Sequence, residues 1–140
     1  MSNFRFLIVV LGMWSWSAHA DEVSVPEFSE PPVTYTLKID GIIYGKLLVG
    51  DRTKENLKFW VNVEGGNHHQ CYAAGTATSH DNETYIFSNI QLLGNKTYKC
   101  VLQLILVEHS AVLLDDSWEC HALYCGARAD FHGSIFHAEE

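Results

Sequence analysis

Val33-Thr34-Tyr35-Thr36-Leu37-Lys38-Ile39-Asp40-Gly41-Ile42-Ile43-Tyr44-Gly45-Lys46-Leu47-Leu48-Val49 is the stretch that decides the fold class. Apolar and polar residues alternate from Val33 to Ile39, putting Val33, Tyr35, Leu37 and Ile39 on one face with the two-residue period of a half-buried strand. Asp40-Gly41 then supplies two residues that tolerate positive φ, as a tight hairpin turn requires. Ile42–Val49 is the returning strand, stopped by Gly50-Asp51.

The same alternation continues downstream. Leu57–Val63 points Leu57, Phe59, Val61 and Val63 inward and ends at Gly65-Gly66-Asn67. Cys71–Thr78 and Glu83–Ile90 read as two more strands, joined by the polar turn Ser79-His80-Asp81-Asn82. Tyr98–Val107 carries Cys100, Leu102, Leu104 and Leu106 on one side and Val101, Gln103, Ile105 and Val107 on the other. Both faces are mostly apolar, which predicts a central strand. Ala111–Leu114 and Phe131–Phe136 complete the set. No helical stripe of three turns follows Ala20, and the β-branched residues of Val101–Leu114 argue against a helix there. The expectation is an all-β domain, a small antiparallel β-barrel or sandwich of about seven to eight strands.

Upstream, Arg5, the apolar run Phe6–Trp14 and Ala18-His19-Ala20 have the layout of a secretory signal peptide over residues 1–20. The run is shorter than the ~20 apolar residues a membrane span needs. Residues 21–32 hold all three prolines, Pro26, Pro31 and Pro32, and read as an acidic extended leader; residues 33–140 form one domain. Arg5 departs with the signal, leaving eight Lys and Arg against 17 Asp and Glu, a formal net charge of −9. That field repels nucleic acid and anionic membrane surface and steers cationic partners inward. The expected location is periplasmic or secreted.

Cys71, Cys100, Cys120 and Cys125 all follow the signal, an even count that in an oxidising compartment implies two disulfides. Of three pairings, sequence proximity favours Cys120 with Cys125, closing a small loop, and Cys71 with Cys100, tying two strands. Four residues separate Cys120 from Cys125, and no second close pair accompanies them, so the spacing does not suit zinc. His68-His69 with His132 or His137 is the other metal candidate. Adjacent histidines diverge in a strand, and so do residues five apart, so no metal and no cofactor is assigned.

Catalytic signatures are equally sparse. There is no Gly-x-Ser-x-Gly elbow, the cysteines are expected in disulfides, and Asp115-Asp116 with Glu119 reads as a solvated turn, not a carboxylate pair. No catalytic residue is assigned and the chain is not expected to be an enzyme. Asn82-Glu83-Thr84 and Asn95-Lys96-Thr97 match the glycosylation acceptor pattern, and with a bacterial-type signal they read as turns flanking a strand.

The densest signal is Cys120–Phe136, where two cysteines, two glycines and one arginine define a constrained loop. Gly126 behind a disulfide-closed loop would hold Arg128 in a fixed direction, which lowers the entropy lost on binding. The competing expectation is an internal ion pair of Arg128 with Asp115, Asp116 or Asp130.

Cys125-Gly126-Ala127-Arg128-Ala129, followed by Gly133 and Phe136, resembles the late-loop motif of bacterial inhibitors of c-type lysozyme. Those are small exported antiparallel β-barrels with a Ser-Gly-Ala-Arg/Lys-Tyr-like motif followed by glycine and an aromatic residue. Cys125 stands where that family has serine and Ala129 where it has tyrosine, and the lysine-glycine-acid ending is missing. The resemblance carries over Gly126, Ala127 and Arg128, and implies that the basic residue, Arg128, enters a lysozyme cleft and meets its catalytic acids; the expected contact is the loop from Cys120 to Phe131, with Arg128 as its charged tip. The serine's role does not pass to Cys125. The expected partner is therefore a protein, a cationic cell-wall hydrolase. The alternatives are an immunity protein against a delivered hydrolase and a periplasmic small-ligand or metal-binding module. Oligomeric state is left open.

Overall fold

The structure is a computed structural model that describes residues 23–140. The expected signal peptide and the first two residues of the leader lie outside the described residues. Eight strands follow in order: β1 Val33–Ile39, β2 Ile42–Gly50, β3 Asn56–Glu64, β4 Gln70–Ser79, β5 Thr84–Leu93, β6 Lys96–Val107, β7 Ser110–Leu114 and β8 Ser134–Ala138. Each pairs antiparallel with the next, and β8 returns to β1, so the sheet is a closed barrel.

Local chemistry explains the turns. Asp40 and Gly41, at φ 51° and 80°, form the two-residue connection between paired Ile39 and Ile42, both in the left-handed conformation that a twisted hairpin selects. Tyr44 is bulged out of register on β2, because Leu37 pairs with Gly45 while Lys38 pairs with Ile43. The expected inward face of β1 is buried only in its middle: Tyr35 is buried, while Val33 and Ile39 at the ends are 51% and 54% exposed. On β3 the alternation is unbroken, and Leu57, Phe59, Val61 and Val63 all lie in the core. Cys100, Leu102, Leu104 and Leu106 of β6 likewise face inward, packed with Leu47, Leu113 and Phe136.

One seam is thin. β4 and β5 pair only at Thr78–Ile86 and Ser79–Tyr85. Aromatic rings fill the remaining length: Phe59 meets Phe87 edge-on at 5.2 Å between centroids, and Phe87 meets Tyr124 at 6.3 Å. Phe87 passes so close to Gly75 that a Cβ there would lie 2.7 Å from its ring.

Tyr124 belongs to an element the alternation did not predict. Helix α1, Glu119–Tyr124, lies in the long connection from β7 to β8. Its amides are satisfied by Asp115, whose carboxylate accepts from the Cys120 and His121 N–H groups at 3.3 and 2.9 Å. Asp115 is thus a buried helix-start acceptor, not the solvated turn residue expected. The disulfide pairing is also corrected: the bonds are Cys71–Cys125 and Cys100–Cys120. Cys120 lies inside α1, whereas Cys125 follows it in an extended conformation. Cys120 therefore reaches β6 while Cys125 reaches β4, and α1 is stapled across the seam.

The leader is ordered against the outside of the barrel. Trp60 Nε1 donates to the Val23 carbonyl at 2.8 Å, Lys58 Nζ donates to the Glu27 carbonyl at 3.1 Å, and the Ser29 N–H donates to Asp51 at 2.9 Å. The Lys58 ammonium and the Ser29 amide, both bonded to Asp51, hold its carboxyl below the usual aspartate range against the opposing pull of desolvation. Phe28 covers Gly50, where a Cβ would come within 2.4 Å of the ring.

Candidate functional site

Because consecutive strands alternate in direction, the connections β1–β2, β3–β4, β5–β6 and β7–β8 gather at one end of the barrel. There the segment from Cys125 to Phe131 is built onto the β3–β4 connection. Cys125 leaves α1 in an extended conformation and forms both a disulfide and an isolated antiparallel bridge with Cys71. The next amide, Gly126 N–H, donates to the Gln70 carbonyl at 2.8 Å. Gly126 has no room for a side chain: a Cβ would sit 2.8 Å from His69 Nδ1.

Ala129 N–H then donates to the Gly126 carbonyl at 3.2 Å, closing a four-residue turn with Ala127 and Arg128 at its corners. The far side of the turn is held as firmly. Gly66 N–H donates to the Arg128 carbonyl at 3.0 Å, and a Cβ on Gly65 would approach that oxygen to 2.1 Å. Ala129 is buried beneath the turn. The backbone of Arg128 is therefore fixed while its side chain is left in solvent.

The β3–β4 connection is itself tightly wound, a 3₁₀ turn at Gly66–His68 with Asn67 and His68 at φ 54° and 58°. His68 leans on Glu64, Nδ1 to Oε1 at 2.6 Å, so that carboxylate is turned to the histidine. Asp115 is committed to α1, and Asp116 accepts from Gln103 Nε2 at 3.1 Å. Among the described residues no carboxylate forms an ion pair with Arg128. The expected internal ion pair with Asp115, Asp116 or Asp130 is not formed, and Arg128 is exposed.

Of the residues expected at the contact, Ala127 and Arg128 are exposed, Gly126 is half-buried, and the three share one turn. Phe131 is a correction. It is completely buried in the core and precedes β8, which begins at Ser134 after the turn at Gly133. Phe131 anchors the loop from below and presents nothing to a partner. The clamp residues Gly65, Gly66 and Gln70 were not expected; the sole sequence signal was a Gly-Gly pair in a connection longer than a tight hairpin needs.

His132 and His137 do not converge: His132 Nδ1 accepts from the Asp115 N–H at 3.2 Å, while His137 Nδ1 lies 3.1 Å from Ser110 Oγ. Among the described residues, no group of three His, Cys, Asp or Glu side chains is placed to hold a metal ion, and no helix is long and apolar enough to cross a membrane. What the loop offers chemically is recognition. A guanidinium on an immobilised turn presents a planar fork of donors suited to a carboxylate. Comparisons with protein-family models, with curated proteins and with solved structures find no match.

Proposed function

We propose that this domain is an exported binding protein that blocks a peptidoglycan-cleaving enzyme of lysozyme type, with Arg128 directed at the acidic residues of the enzyme's cleft. The observation that carries the reading is the clamp on the Arg128 turn. It is tied on one side through Cys71–Cys125 and Gln70 and on the other through Gly66, while the guanidinium has no ion-pair partner among the described residues. A charge held in place before binding loses little freedom on association. The resemblance of Gly126-Ala127-Arg128 to the lysozyme-inhibitor motif, and a net charge of −9 once residues 1–20 are removed, which would draw in a cationic hydrolase, support the same reading. Residues 1–20 act as an export signal in this account, and the domain works in the periplasm or outside the cell by occupying a site, with no catalytic step.

The test is a turbidity assay of cell-wall lysis with c-type, g-type and i-type lysozymes. Wild-type protein is expected to inhibit at least one of them, and Arg128→Ala is expected to weaken inhibition by about 2–5 kcal/mol with folding unchanged. Absence of inhibition against all three removes this function. Equal inhibition by the variant keeps the function and removes the site.

A further inference from the structure

The opposite end of the barrel, formed by the β2–β3 and β4–β5 connections, holds a cleft of about 460 Å³ lined by Arg52, Thr53, Lys54, Ser79, Asn82 and Tyr85. Its floor is built. Tyr85 is 3% exposed, yet its hydroxyl reaches the cleft and accepts from Arg52 Nε at 2.9 Å. Arg52 Nη2 donates to the Asn82 carbonyl at 3.2 Å, and the guanidinium lies 5.3 Å from the centre of the Tyr85 ring. One edge of the guanidinium is thus tied down while the Nη1 hydrogens and the second Nη2 hydrogen are left over. The Tyr85 hydroxyl, an acceptor toward Arg52, keeps its own proton to give.

Acidic residues occur in these connections, but they are turned elsewhere. Asp81 accepts from the Glu83 and Thr84 N–H groups at 2.9 and 2.7 Å, and Asp51 pairs with Lys58 at 2.9 Å. Glu55 and Glu83 are exposed, and among the described residues neither Arg52 nor Lys54 forms an ion pair. Two cations without ion-pair partners, one of them the immobilised Arg52 fork, are an unusual feature in a chain this acidic. The Ser79 and Thr53 hydroxyls are spent on the Asp81 and Asn56 carbonyls, which leaves Arg52, Lys54, the Tyr85 hydroxyl and the Asn82 side-chain amide as donors lining the cleft.

We propose that this cleft is an anion site that takes a phosphate group, inorganic phosphate or a phosphomonoester, with Arg52 as the bidentate contact and Lys54 as the second charge. A dianionic, tetrahedral oxyanion uses both cations and the Tyr85 hydroxyl together, whereas a planar monoanionic carboxylate is satisfied by the guanidinium alone. The site lies at the far end from the Arg128 turn and does not depend on the inhibitor reading.

Amide and Arg Nε resonances are followed by NMR during titration with inorganic phosphate, glycerol 3-phosphate and acetate at constant ionic strength. Saturable shifts at Arg52, Asn82 and Tyr85 are expected, with acetate at least about tenfold weaker than phosphate. Arg52→Gln should abolish saturation, Lys54→Gln should weaken it several-fold, and Lys38→Gln, an equal loss of charge at the other end, should leave it unchanged. Tighter binding of glycerol 3-phosphate than of inorganic phosphate assigns an esterified ligand, and the reverse assigns the free ion. The site is overturned by linear, unsaturable shifts, by acetate binding as well as phosphate, or by Lys38→Gln weakening binding as much as Lys54→Gln. Lys54→Gln leaves the Arg52–Tyr85 contact intact, so its result stands even if Arg52→Gln proves unstable.

Discussion

Replacing Cys71 and Cys125 together by serine removes the bond that ties the Arg128 turn to β4. The link closes a loop of sequence separation 54, for which the chain-entropy relation gives about 4 kcal/mol at 25 °C. The companion bond, Cys100–Cys120, spans 20 residues and is worth about 3 kcal/mol on the same basis. Each double variant should therefore unfold at lower guanidinium concentration than wild type, with the larger drop for Cys71/Cys125. Thiol titration of the unfolded, unreduced variants supplies the decisive reading. With the pairing of the structure, Cys71→Ser/Cys125→Ser retains an intact Cys100–Cys120 bond and shows no free thiol. Pairing by sequence proximity, Cys120 with Cys125, would instead leave two. Two free thiols, or a larger drop in the Cys100/Cys120 variant, would refute the reasoning.

Gly65→Ala places a Cβ against the Arg128 carbonyl, a backbone atom that cannot swing aside, and should cost about 1–3 kcal/mol by equilibrium unfolding while shifting the Arg128 amide resonance. Gly126→Ala meets only the His69 side chain and should cost less. Phe131→Ala should destabilise by about 3–5 kcal/mol, and any loss of partner binding should vanish at temperatures where the variant is still folded. Asp51 has a lowered folded-state pKa, so its contribution is present above the ordinary aspartate pKa and is lost as pH falls through the lower folded value. The Ser29 amide shift should accordingly titrate below the ordinary aspartate pKa, and Asp51→Asn should abolish that step.

Strand positions were legible wherever alternation met an unambiguous turn. Leu57, Phe59, Val61 and Val63 alternate without interruption and stand in the core as read, and Asp40-Gly41 forms its hairpin. The inward row of β6, Cys100 to Leu106, is in the core as read, but its central position is not found, since a closed barrel has no central strand and Val107 on the other face is exposed. Helix α1 escaped because six residues are too few to display a helical stripe; Asp115 and two disulfides hold it, and those contacts are invisible to periodicity. The same helix explains the misread pairing, since closeness along the chain is not closeness in space once a helical turn intervenes. Phe131 was misplaced because the turn at Gly133 delays β8 to Ser134, moving the aromatic from the strand to its buried approach. Arg128 was legible as a presented charge, but the clamp that presents it comes from the β3–β4 connection, distant in sequence and marked only by Gly65-Gly66.

The sparse ladder between β4 and β5 carries a consequence for solubility. Where α1 lies over the seam, the edges of both strands are shielded by Tyr124, Phe87 and the Cys125–Gly126 backbone. Cutting both disulfides frees that cover while most of the barrel ladder stays intact. Beyond the Thr78–Ile86 and Ser79–Tyr85 pairs the uncovered stretches of β4 and β5 are then expected to stand open, the β5 stretch running into Ile90, Leu92 and Leu93, all exposed. Open apolar edges recruit other chains by strand pairing. Light scattering on reduced protein, held below its melting temperature, should therefore rise with time, and the staple across α1 guards each molecule against its neighbours.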